Sequence, residues 1–156
     1  MDRMRFCDWV PVGRDARVHV CHGIPDRLYA CEDGLPGIEE VAGIVERETG
    51  LHVRVGSWHD SEAGDCLEAD VHVVPEDFEE VLSRLARASA GTYWDRYHAP
   101  LGPDDTDYLE AAFAADFNQA LTHCGLCWDT VPAGDHYERY CRIVRAACAA
   151  LAASVH

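Results

Sequence analysis

Pro36-Gly-Ile-Glu-Glu-Val-Ala-Gly-Ile-Val-Glu-Arg-Glu-Thr-Gly50-Leu-His-Val-Arg-Val-Gly-Ser-Trp58 changes its hydrophobic period partway along. Before Gly50, Ile38, Val41 and Val45 recur at helical spacing, with Pro36 at the beginning and Gly50 just past the end. After Gly50, Leu51, Val53 and Val55 alternate with His52, Arg54 and Gly56. The spacing predicts a helix over 37–49 and a strand over 51–58.

Working outward, the acidic loop from His59 to Cys66 leads to an alternating strand at Asp70 to Val74. Pro75 starts a second helix with the stripe Phe78, Val81, Leu82 and Leu85, and Gly91 follows its expected end. On the N-terminal side, Met4 to Val12 and Ala16 to His22 read as strands around a turn at Gly13-Arg-Asp15. Turn chemistry in Ile24-Pro-Asp-Arg27 precedes a short strand, Leu28 to Cys31. Together these predict an α+β fold: an antiparallel sheet, ferredoxin-like or related, covered by two helices within residues 1–91.

Gly91 to Asp105 is rich in aromatics and reads as a structured connection. Asp107 and Glu110 have capping-box spacing, and Leu109, Phe113, Phe117, Leu121 and Cys124 line one helical face that should stop at Gly125. A last helix from about Asp135 carries Tyr137, Cys141, Val144, Cys148 and Leu151 on one stripe. Residues 106–153 are therefore expected as a C-terminal helical hairpin, packed on the sheet or used for homo-oligomer formation. At 156 residues the whole chain, 1–156, has the size of a single domain.

The 28 acidic and 13 basic residues give a formal charge of −15. That excess disfavours a nucleic-acid backbone or an anionic membrane and favours a basic protein or a cationic ligand. Every basic residue is arginine, and Asn118 and Gln119 are the only carboxamides, a bias expected of a G/C-rich bacterial genome. Charges near the N-terminus interrupt what a secretory signal needs, and no apolar run approaches the roughly 20 residues of a membrane span, so a cytoplasmic protein is expected. In that compartment the eight cysteines should be thiols, metal ligands or redox groups.

His123-Cys124-Gly-Leu-Cys127 holds the only Cys-x-x-Cys. A thioredoxin-like pair opens a helix, where the dipole stabilises a thiolate; this pair closes one. Zinc instead needs four converging donors, and Cys124, Cys127 and His136, completed by His123 or His98, form one candidate set. The competing account makes Cys124 a core thiol on its apolar stripe.

A second candidate comes from three apolar-His-apolar triplets, which alternation places with His19, His52 and His72 on one sheet face. Pairing 51–58 with 70–74 sets His72 opposite either Arg54 or His52. Neutral imidazoles brought together would suit zinc, with Asp60 or Glu62 as general base. Against this stands ordinary polar decoration of an open sheet face. Walker, dinucleotide, His-Glu-x-x-His and nucleophile-elbow motifs are missing.

Three functions fit. One is an acidic binding or regulatory protein, immunity- or antitoxin-like or a regulatory subunit, using Tyr93, Trp94 and Tyr97 against a basic partner. Another is a metal-binding protein or small metalloenzyme at one of the two sets. The third is a small-molecule-binding biosynthetic domain with a pocket between sheet and hairpin. The first is preferred, because charge is a property of the whole chain whereas each site depends on a pairing.

Overall fold

The computed structural model describes residues 7–13, 15–31, 35–62, 64–131 and 135–154. Met4 to Phe6 of the expected first strand and Arg14 of the expected turn lie outside them. Two compact units emerge, one comprising Met1–Phe78 with His123–Gly125 and the other Glu79–Thr122 with Leu126–His156.

The first unit is built on a six-stranded sheet. Strands β1 (Cys7–Pro11), β2 (Ala16–Cys21) and β3 (Ile24–Ala30) form the N-terminal meander. The turn expected at Ile24 to Arg27 falls earlier, at His22-Gly23, with φ of 55° and 76°. Left-handed conformation at both central residues suits a two-residue hairpin loop, so the strand begins at once with Ile24.

Helix α1 (Ile38–Thr49) buries Val41, Val45 and Thr49 and packs against β3 and β4 (Val53–Val55). Gly50 closes it in the left-handed region at φ 72°, its N–H donating to Glu46 O at 2.8 Å. The Glu46 carboxylate then accepts from Val53 N–H at 3.2 Å, tying the helix end to the next strand.

The strand expected over 51–58 is interrupted. Gly56 N–H donates to Asp70 O at 2.8 Å, and pairing resumes only at β5 (His59–Asp60). Both β4 and β5 pair with β6 (Leu67–Val73).

Strand order is β1-β2-β3-β6-β4. Thus β3, α1 and β4 make a split β-α-β unit with β6 inserted antiparallel between its strands, the arrangement shared with ferredoxin-like sheets. The place beside β3 that a closing C-terminal strand would take is occupied here by β2 of the meander. Val18, Leu28, Ala69, Val71 and Val73 are buried on the apolar face, as their alternation requires.

The second unit contains α2 (Phe78–Tyr97, from Glu79 on), α3 (Thr106–His123, to Thr122) and α4 (His136–Ser154). Helix α2 runs through Gly91, where a glycine ending was expected, and most of the expected connection is helix. Ahead of α3, the Asp105 carboxylate accepts from Gly102 N–H. Asp116 on α3 accepts from Ser89 Oγ on α2 at 2.5 Å and from the Tyr140 hydroxyl on α4 at 2.8 Å. The expected hairpin of 106–153 is therefore joined by α2 through one carboxylate.

Candidate functional site

Side chains alternate along a strand, so the register fixes what the polar sheet face presents. Trp9, His19, Arg27 and Asp70 stand opposite one another in a row across β1, β2, β3 and β6. A second row carries Arg17, Tyr29, Glu68 and His59 across β2, β3, β6 and β5.

Rings cluster at one side: the Trp9 centroid is 5.0 Å from His19 and 5.4 Å from Tyr29, with the Arg17 guanidinium 5.6 Å from the Trp9 ring. The distances suit cation–π and offset ring contacts. At the other side Glu68 is the buried anion, only 9% of its side chain exposed. It lies 3.6 Å from Arg27 and 3.2 Å from His59 Nε2, while His59 Nδ1 faces Ser57 O at 3.3 Å. Burying a carboxylate is costly without such partners.

The three histidine triplets do not converge. Arg54 is the residue opposite His72. Strand β3 separates β2 from β6, and the rows offset His19 from His72 by two residues; two strand spacings of about 4.8 Å with that offset put their Cα atoms about 12 Å apart. His52 is outside β4, where its backbone N–H and ring Nδ1 meet Asp77 Oδ2 at 2.8 Å and 3.0 Å. His19 Nδ1 meets Asp26 at 3.5 Å.

The Cys/His set is also divided. Cys124 is buried, and burial pushes its thiol up to about 12, as a core position on the α3 stripe implies. Cys127 is exposed, and hydrogen bonds from the Thr130 side chain and the Asp129 backbone hold its thiol below the ordinary range. A turn thus does here what the helix end would not.

His136 Nδ1 lies 3.0 Å from Glu79 Oε1. Burial keeps this imidazole below its usual value, against the opposing pull of Asp135. His98 closes α2 in a left-handed conformation, its N–H donating to Trp94 O at 2.7 Å. Among the described residues, no three of His, Cys, Asp and Glu are grouped as a metal ion requires.

Of the expected partner-binding aromatics, Tyr93 is buried, its ring 4.7 Å from Tyr97 and 5.0 Å from Tyr108. Because α2 continues past Gly91, Tyr93 faces the helical core. Trp94 is half-buried, and Tyr97 remains exposed. The open aromatic on the sheet is Trp9, 49% exposed, which the sequence marks only by alternation with the buried face.

A group that periodicity did not indicate forms at the end of the sheet's polar face. His123, 7% exposed, is influenced by Asp26, His72 and His22. A Cβ placed on Gly125 would stand 3.9 Å from His72 Cγ, so His123–Gly125 runs beside this end of the sheet. His22 enters the group because it belongs to the hairpin turn. Comparisons with protein-family models, curated proteins and solved structures return no match to this chain.

Proposed function

We propose that the chain is an acidic binding or regulatory protein whose first unit recognises a basic partner. The observation that carries this is the distribution of carboxylates left without cations. By sequence that unit holds seventeen Asp and Glu against seven Arg, four of the arginines lying among the described residues. Three of those arginines, Arg17, Arg27 and Arg54, belong to the polar sheet face, and Arg27 is already engaged by Glu68 and Asp70. Glu39, Glu40 and Glu48 on α1 and Asp60 and Glu62 beyond β4 are exposed and make no ion pair with described residues.

Unneutralised charge of one sign on a rigid helix raises the encounter rate with an oppositely charged protein and makes it salt-dependent. Exposed Trp9 beside Tyr29 supplies the kind of flat, low-entropy contact that anchors interfaces. Partners captured from a cell extract on the immobilised chain should be basic. Association rates of an identified partner should fall steeply with ionic strength, and E39Q/E40Q/E48Q should slow association more than it speeds dissociation. Binding indifferent to both salt and the triple substitution would remove this function from consideration.

A further inference from the structure

His123, Cys124 and Gly125 belong to the sheet unit. His123 and Cys124 are buried, and Gly125 turns the chain at φ 61° beside the His72 ring. Around His123 stand His22 from the β2–β3 turn, Asp26 from β3 and His72 from β6, and Cys124, next in sequence, feels the charge of Asp77. Asp26 is shared, since His19 on β2 reaches it at 3.5 Å. Four imidazoles thus gather near one carboxylate, one of them almost wholly removed from water.

We propose that His22, His72, His123 and Asp26 form a proton-operated latch, which holds His123–Gly125 against the sheet at neutral pH and releases it when His123 takes up a proton.

Neutral, His123 is a compact aromatic that fills its site. Protonated, it is a buried cation beside two other imidazoles, with a carboxylate already engaged by His19. Burial is the main influence holding its pKa below the ordinary value, Asp26 opposes, and His72 and His22 reinforce the depression. The position at a helix C-terminus favours the cation, but that attraction weakens with the exposed end of the dipole and does not reverse the effect of burial.

For a histidine held below its free value, the closed state's advantage is complete above the free value of about 6.5 and declines as pH falls toward the depressed one. Between pH 7.5 and 5.5 the opening equilibrium can therefore rise up to about tenfold from His123 alone.

The test is amide hydrogen exchange of the full chain by NMR, with intrinsic rates divided out, at pH 7.5 and 5.5. Protection of Cys124, Gly125 and Leu126 should fall by more than about twofold and by up to about tenfold, while Val41 to Val45 of α1 changes less than about twofold. Equal protection at the two values overturns the latch, as does a fall of the same size in α1. His123→Gln should abolish the local fall; retention of it also overturns the proposal. Should that variant not fold, His72→Gln, at an exposed strand position, should shrink the fall and raise its pH midpoint, because His72 is one of the groups holding His123 down. An unchanged midpoint and amplitude would count against the latch.

Discussion

Replacing Tyr140 by Phe isolates one hydrogen bond at the centre of the helical unit. The ring is fully buried and packs 5.6 Å from Phe113, contacts that Phe preserves. What disappears is the hydroxyl's bond to Asp116 Oδ2 at 2.8 Å. A bond to an ionised acceptor contributes about 1.5–3 kcal/mol. Asp116 is only part-buried and keeps the Ser89 hydroxyl at 2.5 Å, so water compensates in part and the low end applies: about 1.5–2 kcal/mol.

Asp116→Ala should cost more, about 3 kcal/mol, because it removes the acceptor shared by Ser89 and the buried Tyr140 hydroxyl and leaves those two hydroxyls only each other. Once Asp116 is gone, adding Tyr140→Phe should cost almost nothing, leaving a coupling of about 1–2 kcal/mol in the double-mutant cycle. Urea unfolding followed by circular dichroism measures all four corners. A Tyr140→Phe loss under about 0.5 kcal/mol, or strict additivity, would refute the assignment of Asp116 as the shared acceptor.

Leu28→Ala, at a fully buried position on the central strand β3, should destabilise the sheet unit by about 2–4 kcal/mol in the same unfolding assay. Gly50→Ala places a Cβ at φ 72° and should cost about 1 kcal/mol, visible as earlier exchange of the last α1 amides. Thr130→Val should slow iodoacetamide alkylation of Cys127 by several-fold and leave exposed Cys31 unchanged, read by peptide mass spectrometry. Burial raises Tyr93 and Tyr108 to about 12 and Tyr140 well above the ordinary tyrosine range. Raised folded-state values mean stability present below about pH 10 and lost as pH climbs from there through the folded values. With no lysine to titrate over that span, the urea midpoint should fall between pH 9 and 11; a constant midpoint would contradict the burial of these hydroxyls.

Helix α1 was legible because both its boundaries are punctuated locally, by Pro36 and by Gly50, whose left-handed cap realises the signal. Alternation likewise placed Val18, Val71 and Val73 inward, and face-matching parity narrowed the β4–β6 register to two choices, of which Arg54 opposite His72 is the one adopted. The end of α2 was misread because a glycine inside a helix costs about 1 kcal/mol. Here Tyr93, buried between Tyr97 and Tyr108, is the side chain that continued helix places in the core. The split of 51–58 reflects a register shift of one residue between Gly56, still opposite Asp70, and His59, opposite Glu68, which no local period encodes. The group around His123 was least visible. His22 joins it only if the hairpin turns at His22-Gly23, and His72 and His123 meet across a separation that no local period encodes.

The insertion of β6 between β3 and β4 sets an order of events during synthesis. When residue 60 has left the ribosome, β1, β2 and β3 can already pair, but β3 keeps an open edge and α1 and β4 have no strand to complete them. Only β6, the last strand made, bonds to β3 on one side and to β4 and β5 on the other. The nascent sheet thus holds an unpaired edge until residue 73 emerges, the interval in which an open edge invites pairing with other chains. A stall or truncation in the acidic loop before Leu67 should leave an aggregation-prone three-stranded fragment, whereas one just beyond Val73 should leave all six strands able to pair.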